Sequence, residues 1–100
     1  MFCLASRYQT ESKNLNEVAA IVKEQGLPLV SRQKGFSGAY LLTQVNGVFM
    51  TLNIWDTEEQ ANAWLQNPEH QKIVAQLQPL LAGAPAREGW EVRANAVMHG

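Results

Sequence analysis

The sequence lacks several features that mark common classes of protein. Cys3 is the only cysteine among 100 residues, so the chain cannot form an internal disulfide, and it suits a reducing compartment. No apolar run is long enough to cross a bilayer. Arg7 interrupts the apolar N-terminal stretch too early for a signal peptide. We therefore expect a cytoplasmic protein that does not enter a membrane.

Charged residues of either sign are few and dispersed. Eight lysines and arginines oppose nine acidic residues, which gives a net charge of −1 and no basic patch for nucleic acid. The two histidines are His70 and His99, and the second lies one residue from the end, so a site with several histidines for a metal is not expected. Glycine-rich phosphate loops, serine elbows and flavin signatures are missing. We expect neither a metal nor a cofactor.

The patterns that are present predict one domain spanning residues 1–100. The hydrophobic share of 46% is ordinary for a folded protein with a single core. Two alternating sets of residues predict a first strand from Phe2 to Gln9. Apolar residues at helical spacing then predict a first helix, which Asn14 caps and Gly26 stops.

Asn46-Gly47 is the strongest turn signal in the chain. Both residues suit the positive φ angles of a two-residue type I′ turn, so the sequence predicts a hairpin of strands 36–45 and 48–55. In that register one face is aliphatic and the other is mixed aromatic and polar. Tyr40 faces Asn53 on the mixed face. The pair either places a hydroxyl and an amide in a ligand cavity or forms a bond at a dimer seam.

A broken helix carries the strongest chemical hint. Asp56, with Glu59 three residues later, predicts its start, and Asn67-Pro68 predicts a break and a second N-cap. His70 then shares a helical stripe with apolar residues. The stripe consists of His70, Ile73, Val74, Leu77 and Leu81. Trp64 in the first half and His70 in the second therefore point an indole and an imidazole at the same interior.

The predicted order of elements is β-α-β-β-α-β, with a last strand from Trp90 to Met98. This order is the ferredoxin-like arrangement, an α+β fold with an antiparallel sheet. Two helices on one face of such a sheet leave the other face bare, and here that face is apolar. We expect a second copy of the chain to cover it, so that two sheets pack back to back in a homodimer to which the last strand contributes.

Several motifs occur in the order found in one known family. They are Gly35-Phe36-x-Gly38 at the second strand, Trp55 at the end of the third, the acidic helix start, and Trp64-Leu65-x-x-Pro68-x-His70. With these motifs the chain resembles the antibiotic biosynthesis monooxygenase family of dimeric α/β-barrel proteins. The resemblance implies a homodimer with a ligand pocket between sheet and helices in each subunit. Known relatives include cofactor-independent monooxygenases of quinol-like and polyketide aromatics, heme-degrading monooxygenases, and members of unknown role.

The heme-degrading branch can be compared residue by residue. It uses an asparagine on the first strand, a tryptophan on the second helix, and a heme-ligating histidine further along. Trp64 matches, but the ligand position falls at Val74, and the first strand offers Ser6 or Arg7. Heme chemistry of that type is disfavoured, and His70 is left as the alternative, displaced ligand.

Each candidate site residue has a functional and a structural interpretation. A neutral His70 could accept a phenol proton, or it could be a half-buried histidine bonded to the preceding loop. Trp64 could stack on a planar aromatic ring, although a packing role is more frequent for tryptophan. Arg7 could anchor an anionic or phenolic group, although arginines near strand ends are more often solvated.

Two functions follow from these interpretations. The first is a cofactor-independent monooxygenase acting on a small planar aromatic or quinol-like substrate, with His70 as the catalytic residue. Its substrate-binding residues would be Trp64, Tyr40, Asn53 and Arg7. The alternative is a non-catalytic dimeric ligand-binding or stress-associated module of the same fold. A cavity that opens beside His70 favours the enzyme, whereas a filled interior favours the module.

Overall fold

A computed structural model describes residues 1–96. Its four strands are β1 (Phe2–Gln9), β2 (Phe36–Thr43), β3 (Val48–Trp55) and β4 (Ala86–Glu91). They form one sheet in the spatial order β2-β3-β1-β4, in which every neighbouring pair is antiparallel. The helices are α1 (Leu15–Ile21), α2 (Leu27–Val30), α3 (Glu58–Gln66) and α4 (Pro68–Leu77), with short 3₁₀ turns at Ser12–Asn14 and Gln78–Leu80. The predicted ferredoxin-like α+β fold is confirmed.

The first helical segment does not end at Gly26. A π-helical turn, Val22–Gly26, joins α1 to α2, and Gly26 has an ordinary helical φ of −72°. Pro28 lies in the first turn of α2, directly after the π-helical turn. The predicted stop at Gly26 is therefore wrong, as is the side-chain cap at Asn14, which makes no capping hydrogen bond.

The hairpin turn is one residue longer than predicted. Gln44 N–H donates to the carbonyl of Val48 at 2.8 Å, and Gly47 N–H donates to the carbonyl of Gln44 at 3.1 Å. Among residues 1–96 only glycines have positive φ, and Gly47 is one of them at +93°. Asn46 therefore has negative φ, which rules out a type I′ turn. The loop is a three-residue connection that ends in a left-handed glycine.

The longer turn shifts β2 by one residue against β3, and this turns the side chains of residues 38–43 to the face opposite to the predicted one. A bulge between Phe36 and Gly38 keeps Phe36 paired with Trp55. Tyr40 pairs with Leu52, and Asn53 pairs with Ala39. The predicted opposition of Tyr40 and Asn53 is therefore wrong. Tyr40 and Leu42 lie on the sheet face away from the helices, where they are 64% and 43% exposed.

Helix α3 begins one residue later than predicted. Its N-cap is Thr57, whose hydroxyl accepts from Gln60 N–H at 3.3 Å while the Gln60 side chain accepts from Thr57 N–H at 3.2 Å. This reciprocal pair is a capping box of the expected kind, but the predicted residues, Asp56 and Glu59, are wrong. Asp56 instead accepts a hydrogen bond from the hydroxyl of Ser37.

The last strand lies earlier in the chain than predicted. The expected strand ran from Trp90 to Met98, whereas β4 spans Ala86–Glu91, and Met98 lies outside the described residues. All six residues of β4 are exposed, and charged residues occur on both of its faces. The strand therefore lacks the apolar alternation from which its start could be predicted.

The core lies between the sheet and the helices in two clusters. One surrounds the fully buried Trp55 and includes Leu4, Val30, Trp64 and Ile73. The other surrounds Phe49, on which Tyr8 stacks with ring centroids 4.7 Å apart. The predicted inward stripe of α4 is confirmed for Ile73 and Leu77, which are buried. Across residues 1–96, no helix combines the length and the apolar character that a membrane span requires.

Candidate functional site

A cavity of about 60 Å³, partly open to solvent, lies between the sheet and the helices. Its walls come from the inner face of the sheet, the π-helical turn with α2, and helices α3 and α4. Most of the lining is apolar. The polar side chains that the inner sheet face and α4 contribute are those of Ser6, Tyr8, Thr51, Asn53, His70 and Arg87.

His70 is held at the cavity by the break between α3 and α4. Asn67 caps α4, since its side-chain oxygen accepts from Glu69 N–H at 2.8 Å and from His70 N–H at 3.2 Å. Pro68 at the first helical position fixes the entry of the chain. These features confirm the predicted second N-cap. They place the imidazole flat against the indole of Trp64, with ring centroids 4.1 Å apart and an interplanar angle of 21°.

Replacing Asn67 by alanine is expected to lower the free energy of unfolding by about 1 kcal/mol. The substitution leaves two N–H groups of the first turn without their acceptor, and it removes a 3.4 Å contact between the Asn67 amide and Gln33. Urea unfolding followed by circular dichroism measures the change. Asn62→Ala is the matched control, because Asn62 is exposed within α3 and alanine favours a helix there. An equal stability of the two variants would contradict the capping role.

The proton on the His70 ring is fixed by its neighbour. Nδ1 lies 3.0 Å from the main-chain oxygen of Trp64, and a carbonyl oxygen can only accept. Nδ1 therefore carries the proton and donates, which leaves Nε2 of the neutral ring as an acceptor.

The surroundings of His70 favour its neutral form. Burial lowers its pKa below the usual value of 6.5, the hydrogen bond to Trp64 acts in the opposite direction, and the positive charge of Arg87 lowers the pKa further. The net shift is downward. At neutral pH the imidazole can therefore take up a proton from a ligand.

NMR titration of the imidazole nitrogens should place the His70 transition below 6.5, and Arg87→Met should move it upward because the nearby positive charge is removed. A lowered histidine pKa means that the unfolded chain binds the proton more readily. The contribution of neutral His70 to the free energy of unfolding is therefore complete above pH 6.5, the pKa of His70 in the unfolded chain. It is lost as the pH falls through the lower pKa of His70 in the folded protein. The same resonance in urea-unfolded protein is the reference. A folded transition at or above that reference would contradict the burial argument.

Asn53 adds a hydrogen-bond donor to the cavity. Its Oδ1 accepts from the indole N–H of Trp55 at 3.1 Å, and because that indole can only donate, the amide orientation is fixed. Within residues 1–96, no fully buried side-chain nitrogen or oxygen lacks a hydrogen-bond partner. The Nδ2 group of Asn53 bonds to none of these residues, so it keeps solvent contact on the cavity side.

The structure brings three of the five predicted site residues together. His70, Trp64 and Asn53 all line the cavity. Tyr40 borders it, but the register of β2 turns the phenol to the opposite face. Arg7 lies on that opposite face of β1 and is absent from the cavity lining. A neighbour of Arg7 on the first strand, Ser6, faces the cavity instead and is 3% exposed.

Arg87 is a cavity residue that the sequence interpretation missed. It pairs with Ser6 across the β1–β4 ladder and therefore lies on the helix side of the sheet. The prediction started the last strand at Trp90, so Arg87 fell in a loop. Gly83 and Pro85 are turn residues just before the observed strand, and they are the signal that could have moved its start to Ala86.

The cavity does not fit a heme. Val74, at the ligand position of the heme-degrading relatives, lines it with an aliphatic side chain. An enclosed cavity that accepts a single benzene ring has a volume of about 150 Å³, well above that of this cavity, and a porphyrin has four rings around the metal. In the part of the chain that the structure covers, no three histidine, cysteine or acidic side chains cluster as metal ligands.

Solved structures share this architecture at low sequence identity. A protein of unknown function from Nitrosomonas europaea, NE2512, aligns with a TM-score of 0.83 at 20% identity, over 99% of this chain and 95% of its own. SnoaB, a cofactor-independent oxygenase from Streptomyces nogalater, aligns with a TM-score of 0.77 at 14% identity, over 94% of each chain. Rv0793 from Mycobacterium tuberculosis aligns with a TM-score of 0.78 at 13% identity, over 96% of this chain and 98% of its own. At these identities the likeness shows the fold.

Sequence comparison identifies the family. No curated protein matches the chain in sequence. The model of the antibiotic biosynthesis monooxygenase family matches residues 1–76, which include β1 to β3, α3 and most of α4. The cavity residues His70, Trp64 and Asn53 lie within the matched part. The chain therefore belongs to the antibiotic biosynthesis monooxygenase family.

Proposed function

We propose that this protein is a cofactor-independent monooxygenase that oxidises a small aromatic quinol or phenol. The observation that carries the proposal is the His70 imidazole, whose Nε2 is left as an acceptor at an apolar cavity and whose ring is stacked on Trp64. A neutral base beside an aromatic wall suits the deprotonation of a phenol. Membership of the family and the similarity to SnoaB support the same class of reaction.

The reaction needs no electrons other than those of the substrate. Nε2 of His70 accepts the phenol proton, and the phenolate that forms is electron-rich enough to reduce oxygen. One oxygen atom forms a bond to a ring carbon, and the other leaves as water with the hydrogen lost from that carbon and a phenolic proton. A hydroquinone and O₂ thus give a hydroxyquinone and water. Asn53 Nδ2, which faces the cavity, would donate to the developing oxyanion.

Aerobic incubation with a panel of quinols and phenols tests the proposal, with oxygen uptake as the readout. Isotopically labelled O₂ should place one labelled atom in the quinone product and the other in water. Uptake no faster than in a protein-free control, across single-ring and two-ring substrates, would contradict an oxygenase role.

The second candidate function is a ligand-binding module of the same fold without catalysis. The small volume of the cavity, about 60 Å³, is the observation that favours it, because a fully enclosed substrate ring would need more space. The same panel separates the two functions. A compound that quenches the tryptophan fluorescence of the protein without any oxygen uptake indicates binding alone.

We also propose that the protein acts as a cytoplasmic homodimer of a single domain, residues 1–100. The outer sheet face, formed by the side chains that point away from the helices, carries Met50, Leu52 and Ile54 on β3, flanked by the exposed Leu42 and Trp90. A stable dimer buries on the order of 1,600 Å² in total. Within residues 1–96 the outer sheet face carries apolar side chains on all four strands, beside the charged Arg7 and Glu88.

A further inference from the structure

Arg87 is the one permanently charged residue in the lining of the cavity within residues 1–96. Its guanidinium belongs to neither of the ion pairs found there, which join Glu91 to the terminal amine of Met1 and Lys13 to Glu11. Glu88, the acidic neighbour of Arg87 in sequence, lies on the opposite face of β4. The guanidinium therefore keeps its five N–H donors for solvent or a ligand.

Further donors lie on the same side of the sheet. Ser6 stands opposite Arg87 in the ladder and lines the cavity, and its hydroxyl bonds to none of the residues that the structure covers. Asn53 directs its Nδ2 group to the same space. The field of Arg87 reaches the interior, because the same charge acts on His70. A positive charge at an apolar cavity concentrates anionic ligands there. The planar guanidinium of an arginine can also donate two parallel hydrogen bonds to a carboxylate.

The position of Arg87 suits a ligand that has a charged part and an aromatic part. Arg87 is exposed on an edge strand, whereas Trp64 and Asn53 are buried at 5% and 8% exposure. A charged group can therefore stay near solvent at Arg87 while an aromatic ring enters toward His70 and Trp64. The volume of about 60 Å³ is less than the roughly 150 Å³ that encloses one benzene molecule, so even a single ring would enter only in part and would remain partly in the open mouth of the cavity. A fused ring system would leave a larger part of its surface outside.

We propose that the ligand of this cavity is a single-ring hydroxyaromatic acid, whose ring contacts Trp64 and His70 and whose carboxylate is bound by Arg87. The oxidation of the bound ring rests on the proposed function, whereas the preferred binding of the acid does not depend on it. It assigns the specificity for charge to Arg87, which neither the family match, ending at residue 76, nor the sequence motifs include.

Fluorescence titration with matched ligands tests the inference. We would compare 2,5-dihydroxybenzoate, its methyl ester, hydroquinone and 1,4-dihydroxynaphthalene, with the fluorescence of Trp64 measured in a background in which Trp55 and Trp90 are replaced by phenylalanine. The carboxylate should bind about 10-fold or more tightly than the ester, as expected for a hydrogen bond to a charged group, and added salt should weaken the preference. The two-ring compound should bind weakest.

Arg87→Met should abolish the preference for the acid over the ester, and Arg87→Lys should keep part of it, because lysine retains the charge without the planar fork. Arg32→Met is the matched control, since Arg32 is exposed and does not line the cavity. Equal binding of acid and ester by the wild-type protein, or an unchanged preference in Arg87→Met, would overturn the inference. Circular dichroism of each variant checks that the fold is kept.

The outcomes separate this inference from the proposed function. Preferred binding of the acid with no oxygen uptake from any compound would contradict the oxygenase and support the Arg87 site. Oxygen uptake from neutral hydroquinone without any preference for the acid would support the oxygenase and overturn the Arg87 site.

Discussion

Replacing His70 by alanine is expected to lower the turnover of a quinol substrate by about 100-fold or more. The substitution removes the acceptor nitrogen that takes the phenol proton, together with the ring that stacks on Trp64. His70→Gln separates these two losses, because glutamine keeps a planar polar group near the indole but cannot act as a base near neutral pH. We expect both variants to lose kcat, with a smaller change in KM for the glutamine variant.

Oxygen uptake measured against pH tests the role of His70 most sharply. Wild-type activity should fall as the pH drops through the lowered pKa of His70, while the residual activity of His70→Gln should lack that step. Lys72→Ala is the control on the same helix, since Lys72 is exposed and lies outside the cavity lining. Turnover by His70→Ala equal to that of the wild type would remove His70 from the mechanism.

The placement of His70 could be predicted from sequence because its causes are local. Asn67 and Pro68 encode a cap and a helix start within two adjacent residues, and the spacing of Ile73 and Leu77 fixes the inward face. The stacking of His70 on Trp64 then follows from the geometry of the helix break. The stack therefore does not depend on which strands pair or in what register.

The register of the hairpin could not be predicted in the same way. Asn46-Gly47 fits a two-residue turn and also the longer turn that is observed, in which only Gly47 needs positive φ. Both turn lengths are compatible with the alternation of side chains along the two strands. The choice decides which face carries Tyr40, so one ambiguous turn displaced one candidate from the site.

The missed residue, Arg87, has a different physical cause. Hydrophobic alternation detects a strand when one face is buried, but every residue of β4 is exposed along the sheet edge. The inner side of β4 carries Arg87, Gly89 and Glu91, which resembles a loop in composition. A Cβ atom at Gly89 would meet the tip of the Phe2 ring, so a larger residue there would require that ring to shift. Only the pairing with β1 shows that Arg87 faces the cavity.

Replacing Trp90 by aspartate is expected to convert the proposed homodimer into monomers at low micromolar concentration. Trp90 is 57% exposed in the single chain and lies on the outer sheet face, directly opposite Cys3 in the ladder. Truncating a tryptophan that is buried in an interface can cost about 2 kcal/mol or more, and a buried unpaired carboxylate adds to this cost. A two-fold axis places the substitution in the interface twice, so the losses accumulate.

Sedimentation velocity over a range of concentrations measures the change. Tyr40→Asp provides a second variant on the outer sheet face, at the far edge strand, in case the Trp90 variant does not fold. Val45→Asp is the matched control, because Val45 is 93% exposed in the hairpin turn, outside the strands. We expect Val45→Asp to remain dimeric while both sheet variants sediment as monomers with wild-type circular dichroism. A wild-type protein that is monomeric at low micromolar concentration, or sheet variants that remain dimeric, would show that the outer sheet face does not mediate the assembly.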